Sequence, residues 1–296
     1  NPDGKKVAVS AHMDEISFMV HFIDDSGFIR FKPLGGFDPK TLSAMRVTVY
    51  GKEPIPGVIG VKPIHALSDA ERKKMPDIGD FFIDVGLPKE EAEKIVSIGD
   101  VISRESDLMQ FGHLLNSKSL DNRVSVFILL EAMKQVGNVA FDVYATFTVQ
   151  EELGIRGAEV AGHYIDPDFG IGLDVTLSND LPGIPPNDHV TRMGKGTAIK
   201  VMDHGAVTDY RMLEYLREQA DSNTISYQLE VLDMGATDTS GLQRHGKRSS
   251  IAGALSIPVR YMHQNTEAAH PSDIRDTIDL LAIALQNFDK FDWEHR

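Results

Sequence analysis

Residues able to bind metal ions recur along this chain where strands are predicted to end. A hydrolase that uses two metal ions needs a carboxylate that bridges them, further His or carboxylate ligands for each ion, and a carboxylate that stays off the metals as a base. The chain has no cysteine, so such a site must use His and carboxylates. This requirement is met, in chain order, by His12 with Asp14, Asp121, Glu151 with Glu152, Asp174 and His263. The set predicts an enzyme.

Two adjacent acids, Glu151 and Glu152, follow the apolar run Phe141–Val149, which predicts a buried strand. Like charges beside a buried strand are costly unless a cation neutralises them. Adjacent side chains of an extended segment point to different sides, so one carboxylate can bind metal while the other faces substrate. A Glu pair on a solvated helix face would carry no function, but the position after a strand favours the functional interpretation.

His12 follows the predicted strand Val7–Ser10, and Asp14 stands two residues beyond it. Residues at i and i+2 of an extended segment lie on one side, so Asp14 can accept the second imidazole proton and orient a ligand His12. The alternative is a histidine that is simply hydrogen-bonded at the end of a strand.

Two further acids stand where strands and helices meet. Asp121 lies in a polar turn before the predicted helix Val124–Val136, and its alternative role is a helix N-cap. Asp174 follows the short apolar strand predicted over Gly170–Leu173, where an acid is costly unless it is bound to something. We therefore predict Asp121 as the bridging carboxylate and Asp174 as a ligand.

Of the eleven histidines, His263 is the second candidate ligand, because it ends the predicted strand Ile257–Met262. His270 precedes Pro271 and is predicted instead to be a loop residue at the entry to the helix Ile274–Phe288.

Beyond residue 113, predicted strands alternate with amphipathic helices, which indicates an α/β fold with a mixed β-sheet flanked by helices. Ligands of such sheets gather beyond the carboxyl ends of strands, where these His and acidic residues are predicted. Earlier in the chain, a hairpin pattern is formed by the predicted strands Ser17–Phe22 and Phe28–Lys32. Residues 46–113 consist of short β-rich runs between Gly and Pro turns. We therefore predict a catalytic domain of residues 1–45 and 114–296 and an inserted, small β-rich domain of residues 46–113.

The composition excludes several classes of partner. A formal net charge of −14 argues against binding to nucleic acid or to an anionic membrane, which both require a basic surface. Apolar runs are too short to span a bilayer, and the absence of cysteine fits a cytoplasmic protein. The chain opens with the turn residues Asn1-Pro2-Asp3-Gly4, from which we expect a further N-terminal segment before the first strand.

The order His-x-Asp, Asp, Glu-Glu, Asp, His resembles the di-zinc aminopeptidase and carboxypeptidase superfamily. The segments that carry a closer resemblance, to the tetrahedral (TET) or glutamyl/deblocking aminopeptidases, are Ala11–Glu15, Gly57–Gly60, Ser119–Arg123, Val149–Gly157 and Ile257–His263. In this family the insertion lies between the first two ligands, as it does here between His12 and Asp121. Some members carry an endoglucanase label. The chain departs from the family pattern at Gln264-Asn265.

The resemblance implies a role for each residue. His12, Asp121 and Asp174 would hold one ion, Asp121, Glu152 and His263 the other, with Glu151 as general base, Asp14 behind His12, and Gly235, Thr237 and Asp238 in a substrate-side loop. The inserted domain would be PDZ-like or barrel-like and would mediate dimerisation, with dimers building a tetrahedral particle of twelve subunits.

These implications lead us to expect an aminopeptidase that acts on short peptides with two divalent ions, Zn, Co or Mn. Three alternatives remain at this stage. An N-acyl amino acid deacylase of the same superfamily would use the same ligands. A glycoside hydrolase needs two carboxylates but no pair of histidines, and a metal-free binding protein would not need a complete ligand set.

Overall fold

The computed structural model describes residues 4–295, and the chain forms two compact units. The first contains the chain up to Asp14, Leu108–Met262 and the chain from Glu267 onward; the second contains Glu15–Asp107 and His263–Thr266. The predicted turn at residues 2 and 3 lies outside the described residues.

Fifteen strands and seven α-helices are present in this part of the chain. The strands are β1 (Lys6–His12), β2 (Ser17–Ile23), β3 (Ile29–Leu34), β4 (Arg46–Tyr50), β5 (Pro54–Val61), β6 (Phe81–Asp84), β7 (Val101–Arg104), β8 (Met109–Phe111), β9 (Leu114–Ser117), β10 (Asp142–Thr148), β11 (Phe169–Leu177), β12 (Thr197–Met202), β13 (Tyr227–Val231), β14 (Ile251–Arg260) and β15 (Glu267–Ala269). The helices are α1 (Asp69–Arg72), α2 (Lys89–Ile95), α3 (Leu120–Gln135), α4 (Arg156–Ile165), α5 (Tyr210–Ser222), α6 (Asp238–Arg244) and α7 (Pro271–Asn287).

The first unit is built on a nine-stranded sheet in the order β10, β1, β11, β14, β15, β9, β8, with β12 paired to β14 and β13 to β12. Strands β10, β1, β11 and β14 are mutually parallel, whereas β12 and β15 run antiparallel to β14. The sheet is therefore mixed. The parallel strands place their carboxyl ends at one edge, where ligand sites of α/β proteins form.

Helices cover both faces of this sheet, as the alternation of side chains along β1 shows. Val7 and Val9 belong to the core formed with α3, α5 and α7, whereas Ala8 packs with Ile165 of α4 and Leu242 of α6. Successive residues of a strand point to opposite faces, so each helical layer buries its own set. The predicted α/β fold with a mixed sheet flanked by helices is confirmed.

A close approach of α6 to β11 depends on a glycine. A Cβ at Gly172 would lie only 2.0 Å from the side-chain oxygen of Thr239, a separation that no side chain tolerates. The absence of a Cβ thus lets the start of α6 sit directly on the central strand.

The second unit is a closed barrel in which β2, β3, β6, β5, β4 and β7 follow one another around the wall. Its interior contains Phe18, Val47, Ile59, Ile83 and Ile102, all fully buried. Closure through the β2–β7 pairing leaves no free edge among these strands. The predicted separate β-rich domain is confirmed as part of the fold.

The barrel begins earlier in the chain than residue 46, the boundary predicted for the insert. The predicted hairpin is present as β2 and β3, and it supplies two of the six barrel strands because β2 pairs with β7 and β3 with β6. A hairpin pattern shows that two strands pair but does not show which sheet they join.

Candidate metal centre

His12, the last residue of β1, is almost fully buried, with 1% of its surface exposed. Its Nδ1 lies 3.0 Å from the backbone carbonyl oxygen of Asp14. A carbonyl oxygen can only accept a hydrogen bond, so Nδ1 carries the proton. In the neutral ring, Nε2 then offers a lone pair, which is the arrangement a metal ligand requires.

Three carboxylates face this Nε2 atom. Asp121 Oδ1 is 3.3 Å away, Glu151 Oε2 is 3.7 Å away and Asp174 Oδ1 is 3.7 Å away. Donor atoms of His12, Asp121 and Asp174 all lie within 4.8 Å of one another. Residues from three separate stretches of the sequence thus converge on a volume that could hold one ion.

The chain holds Asp121 in place from both sides of the residue. Its backbone N–H donates to the buried carboxylate of Glu267 at 3.0 Å. The next side chain, Asn122, donates its amide to the carbonyl of Leu173 on β11 at 2.9 Å. The first turn of α3 is therefore fixed to two strands of the sheet, and Asp121 is oriented with it.

Asp174 lies inside β11 and not at its end, so the predicted strand end was wrong. The strand continues to Leu177 because Val175 and Thr176 keep their register with Ile257 and Pro258 of β14. The backbone N–H of Val175 donates to Asp174 Oδ1 at 2.8 Å. The sequence pattern predicted that the strand ends at the charged residue Asp174, whereas backbone pairing with β14 continues the strand to Leu177.

Asp14 connects the His12 segment with the Glu pair. Its carboxylate accepts the backbone N–H groups of Glu151 and Glu152, at 3.2 and 3.3 Å, and lies 3.4 Å from His12 Nδ1. Burial alone would raise the pKa of Asp14, but the bond to His12 and the two N–H donors hold it below its usual value. This charged acid thus orients the loop that carries Glu151. The orienting role predicted for it on His12 remains a prediction.

The acids of the cluster lie close to one another in a region that is largely shielded from solvent. Burial, followed by the charge of Asp174, raises the pKa of Glu151 to about 10. Burial also raises the pKa of Asp174 to about 6, although His12 opposes the shift. Burial by itself would lower the pKa of His12, but the surrounding carboxylates, Asp174 first, raise it above its usual value.

This donor set fits a divalent cation. One imidazole nitrogen and buried carboxylate oxygens are the ligands that Zn, Co and Mn accept. A divalent charge would also stabilise the ionised carboxylates, which burial otherwise disfavours.

His263, the other predicted histidine ligand, follows the end of β14 by three residues. It adopts a left-handed backbone with φ of 63°, a conformation that is uncommon for a residue other than glycine and that clusters at functional sites. Its ring lies beside Gly36 of the same unit, where a Cβ would come within 3.5 Å of Nδ1. The ligand role of His263 stays a prediction.

The predicted substrate-side loop leads into α6. Gly235 has φ of 68°, and Thr237 is the residue that precedes the first turn of the helix. Asp238 is 1% exposed, and it accepts the hydroxyls of Ser10 at 2.6 Å and Thr148 at 2.5 Å. Its carboxylate therefore joins α6 to β1 and β10. Contact of this loop with substrate stays a prediction.

His270, predicted to be a non-ligand at a helix entry, is the N-cap of α7. Its ring nitrogen accepts the backbone N–H of Ser272, so its position at the helix entry is confirmed, and the absence of a ligand role stays a prediction.

Comparison with known proteins decides the family. The model of the family described as M42 glutamyl aminopeptidase matches residues 1–280. The chain belongs to this family. A putative aminopeptidase from Acetivibrio thermocellus is 39% identical to it over 284 residues, which cover 95% of this chain and 83% of that protein.

Solved structures agree with the family match. An aminopeptidase from the archaeon Desulfurococcus kamchatkensis is similar with a TM-score of 0.92 at 35% identity, over 96% of this chain and 80% of that one. The TET1 peptidase of Pyrococcus horikoshii is similar with a TM-score of 0.85 at 30% identity, over 95% of this chain and 84% of that one. The M42 chain is thus a peptidase, a metal-dependent aminopeptidase, and the expected resemblance is confirmed.

Two residues of this M42 peptidase received no role from sequence. Glu267 supports Asp121 through its backbone N–H, and Arg123 donates from Nε to the carbonyl of Met13 at 3.2 Å. Both stand close in sequence to predicted ligands, which was the available signal. Their partners lie 146 and 110 residues away, and spacing alone does not reveal such pairs.

Proposed function

We propose that this aminopeptidase removes N-terminal residues from short peptides at the centre formed by His12, Asp121, Glu151 and Asp174. The observation that carries the proposal is the convergence of three carboxylates on Nε2 of one buried histidine, at 3.3 to 3.7 Å. The family supports the reaction class. The geometry supports the assignment of residues.

His12, Asp121 and Asp174 would hold one divalent ion. Glu152 and His263 would join Asp121 around a second, as the family resemblance implies. Divalent ions bound here would supply an acidified water molecule and polarise the scissile carbonyl. Zn, Co and Mn all suit this set of His and carboxylate ligands.

Glu151 is the general base in this proposal. Its carboxylate lies beside the cluster, with Oε2 3.7 Å from Nε2 of His12. It would take a proton from the attacking water and return it to the leaving amine. Asp14 would hold the backbone of Glu151 during both transfers, because it accepts that residue's N–H.

The test is Glu151→Gln, which keeps the shape of the side chain but removes the base. We expect turnover of aminoacyl anilides to fall by about 10²- to 10⁴-fold while the metal content, measured by elemental analysis, stays unchanged. Glu131→Gln on the surface of α3 is the matched control and should keep full activity. A Glu151→Gln enzyme with normal turnover would refute the assignment.

The rival activities are not favoured. The family match and the names of the relatives indicate peptide substrates, not N-acyl amino acids or glycosides. A panel of dipeptides, N-acetyl amino acids and cellulose oligomers, each assayed with and without chelator, separates the three, because glycoside hydrolysis by two carboxylates needs no metal.

We also propose that the chain self-associates through its barrel unit into dimers and then a tetrahedral dodecamer. The Pyrococcus horikoshii peptidase can assemble into a tetrahedron or a large octahedral shell, which supports this assembly. Light scattering should report a mass near that of twelve subunits, and a stable monomer at micromolar concentration would contradict it. Among the helices of residues 4–295, none is both long and apolar enough to cross a membrane. We place the protein in the cytoplasm on the absence of cysteine.

A further inference from the structure

Arg123 occupies an unusual position beside the metal centre. It stands two residues after Asp121, in the first turns of α3. Its Nε donates to the carbonyl oxygen of Met13, the residue between His12 and Asp14. Arg123 thus connects two segments that carry predicted ligands. Its backbone belongs to the segment of Asp121, and its Nε is bonded to the segment of His12.

The charge of the Arg123 side chain is not paired with an acid among the described residues. Arg123 is exposed, and within residues 4–295 its guanidinium forms no ion pair with any carboxylate, its hydrogen bond to Met13 being the contact it makes. Asp14 nearby is bonded to the backbone of Glu151 and Glu152 instead. Because Nε is already bonded, the two terminal amino groups of the guanidinium are the donors that remain. These two groups can donate a pair of parallel hydrogen bonds to one carboxylate.

We propose that Arg123 is a specificity residue that binds a carboxylate on the leaving side of the peptide bond. The proposal rests on the aminopeptidase function proposed above. A carboxylate is the substrate group that pairs with such a guanidinium fork in charge-assisted bonds. Arg123 is a cation placed on the rim of the ligand-bearing segments.

The carboxylate has two possible sources. It is the α-carboxylate when the substrate is a dipeptide, and it is the side chain when the second residue is Asp or Glu. Both present the same two oxygens to the guanidinium. The substrate class is therefore peptides with a negative charge on or next to the second residue.

The experiment measures kcat/KM for pairs of substrates that share one N-terminal residue, chosen as the one cleaved fastest by wild type among aminoacyl anilides. The first pair is the dipeptide with Ala in second place and its C-terminal amide. The second pair is the C-terminal amides with Glu and with Gln in second place. The readout is the ratio within each pair, because any general loss of activity cancels in a ratio.

We expect Arg123→Gln to lower the ratio of charged to uncharged substrate by about 10- to 100-fold through KM, as the loss of a charge-assisted bond would. Arg123→Lys should restore part of the ratio, and Arg217→Gln on the exposed face of α5 should leave it unchanged. A fall in the first pair alone assigns the α-carboxylate, and a fall in the second alone assigns the side chain.

An equal loss on charged and uncharged substrates would overturn the proposal, because Arg123 would then only hold the Met13 carbonyl. Unchanged ratios in both pairs would overturn it as well. Wild-type protein that cleaves none of the peptides or anilides would instead refute the aminopeptidase function, so the two failures are distinct.

Discussion

Two clusters of buried acids in the first unit differ in how their charge is neutralised. In the structural cluster, Lys200 lies 2.7 Å from Glu230 and 3.1 Å from Asp203, all three at most 3% exposed. In the candidate metal centre, His12 faces three carboxylates instead. One cluster contains a permanent cation and the other a group that is neutral when it binds metal. On this contrast we expect an added cation to neutralise the acids around His12.

The hydrogen bonds of the structural cluster support this contrast. Lys200 and Glu230 are register partners on the neighbouring strands β12 and β13. Thr176 of β11 donates its hydroxyl to Glu230 at 2.8 Å, and the backbone of a tight turn donates to Asp203. Burial alone would lower the pKa of Lys200, but Glu230 and then Asp203 raise it above its usual value. The lysine therefore stays charged, and these acids need no added ion.

The largest effect should follow removal of the internal cation by Lys200→Met. Glu230 and Asp203 would remain buried without a partner, which costs about 3–5 kcal/mol of the free energy of unfolding. Urea denaturation of the metal-loaded protein measures this loss. Lys134→Met is the control, since Lys134 is 69% exposed in its pair with Glu131, and a surface pair contributes roughly 0–1 kcal/mol.

An equal, small loss in both variants would break the comparison, because it would show that the buried lysine does not neutralise its neighbours. The double variant Lys200→Met with Glu230→Gln tests directly whether an unpaired buried charge causes the loss of stability. Replacing both members removes the unpaired charge, so the double variant should be more stable than Lys200→Met alone.

Residue type and position predicted which side chains come together around His12, but they did not predict the residues that support them. His12, Asp121, Glu151 and Asp174 were chosen from residue type and position near strand ends, and the structure brings their side chains together. Parallel strands explain this outcome, because their carboxyl ends share one edge of a sheet. The layer of helices also followed from periodicity. The local sequence pattern was sufficient for features that depend on a single strand or helix.

Features that depend on distant partners were not accessible in this way. Asp238 is bonded to Ser10, 228 residues away in sequence, and a lone Asp before a helix is equally typical of a cap or a loop. The lysine of the structural cluster stands in an apolar strand with its acidic partner 30 positions further on at Glu230. The β2–β3 hairpin has the same alternation whether it joins a sheet or a barrel, so the barrel boundary needed tertiary pairing.

Removal of metal should have a smaller effect on stability than Lys200→Met and should act on the other cluster. A ligand that binds the folded state stabilises it in proportion to the logarithm of its concentration, by about 2.7 kcal/mol at a hundredfold excess over Kd. A chelator should therefore lower the urea midpoint of the wild-type protein by a corresponding amount, and added Zn, Co or Mn should restore it. The midpoint and the metal content are measured on the same samples.

The response of the urea midpoint to chelator can also be compared between variants of the protein. Asp174→Asn removes a predicted ligand, so its midpoint should respond less to chelator than that of wild type. Lys134→Met should respond as wild type does, because its change lies on the surface of α3. A wild-type midpoint that does not move while elemental analysis shows that metal has left would mean that the acids around His12 are tolerated without a cation. In that case protonation would have to neutralise them, as the raised pKa values of Glu151 and Asp174 allow, and the difference from the lysine cluster would not identify a metal site.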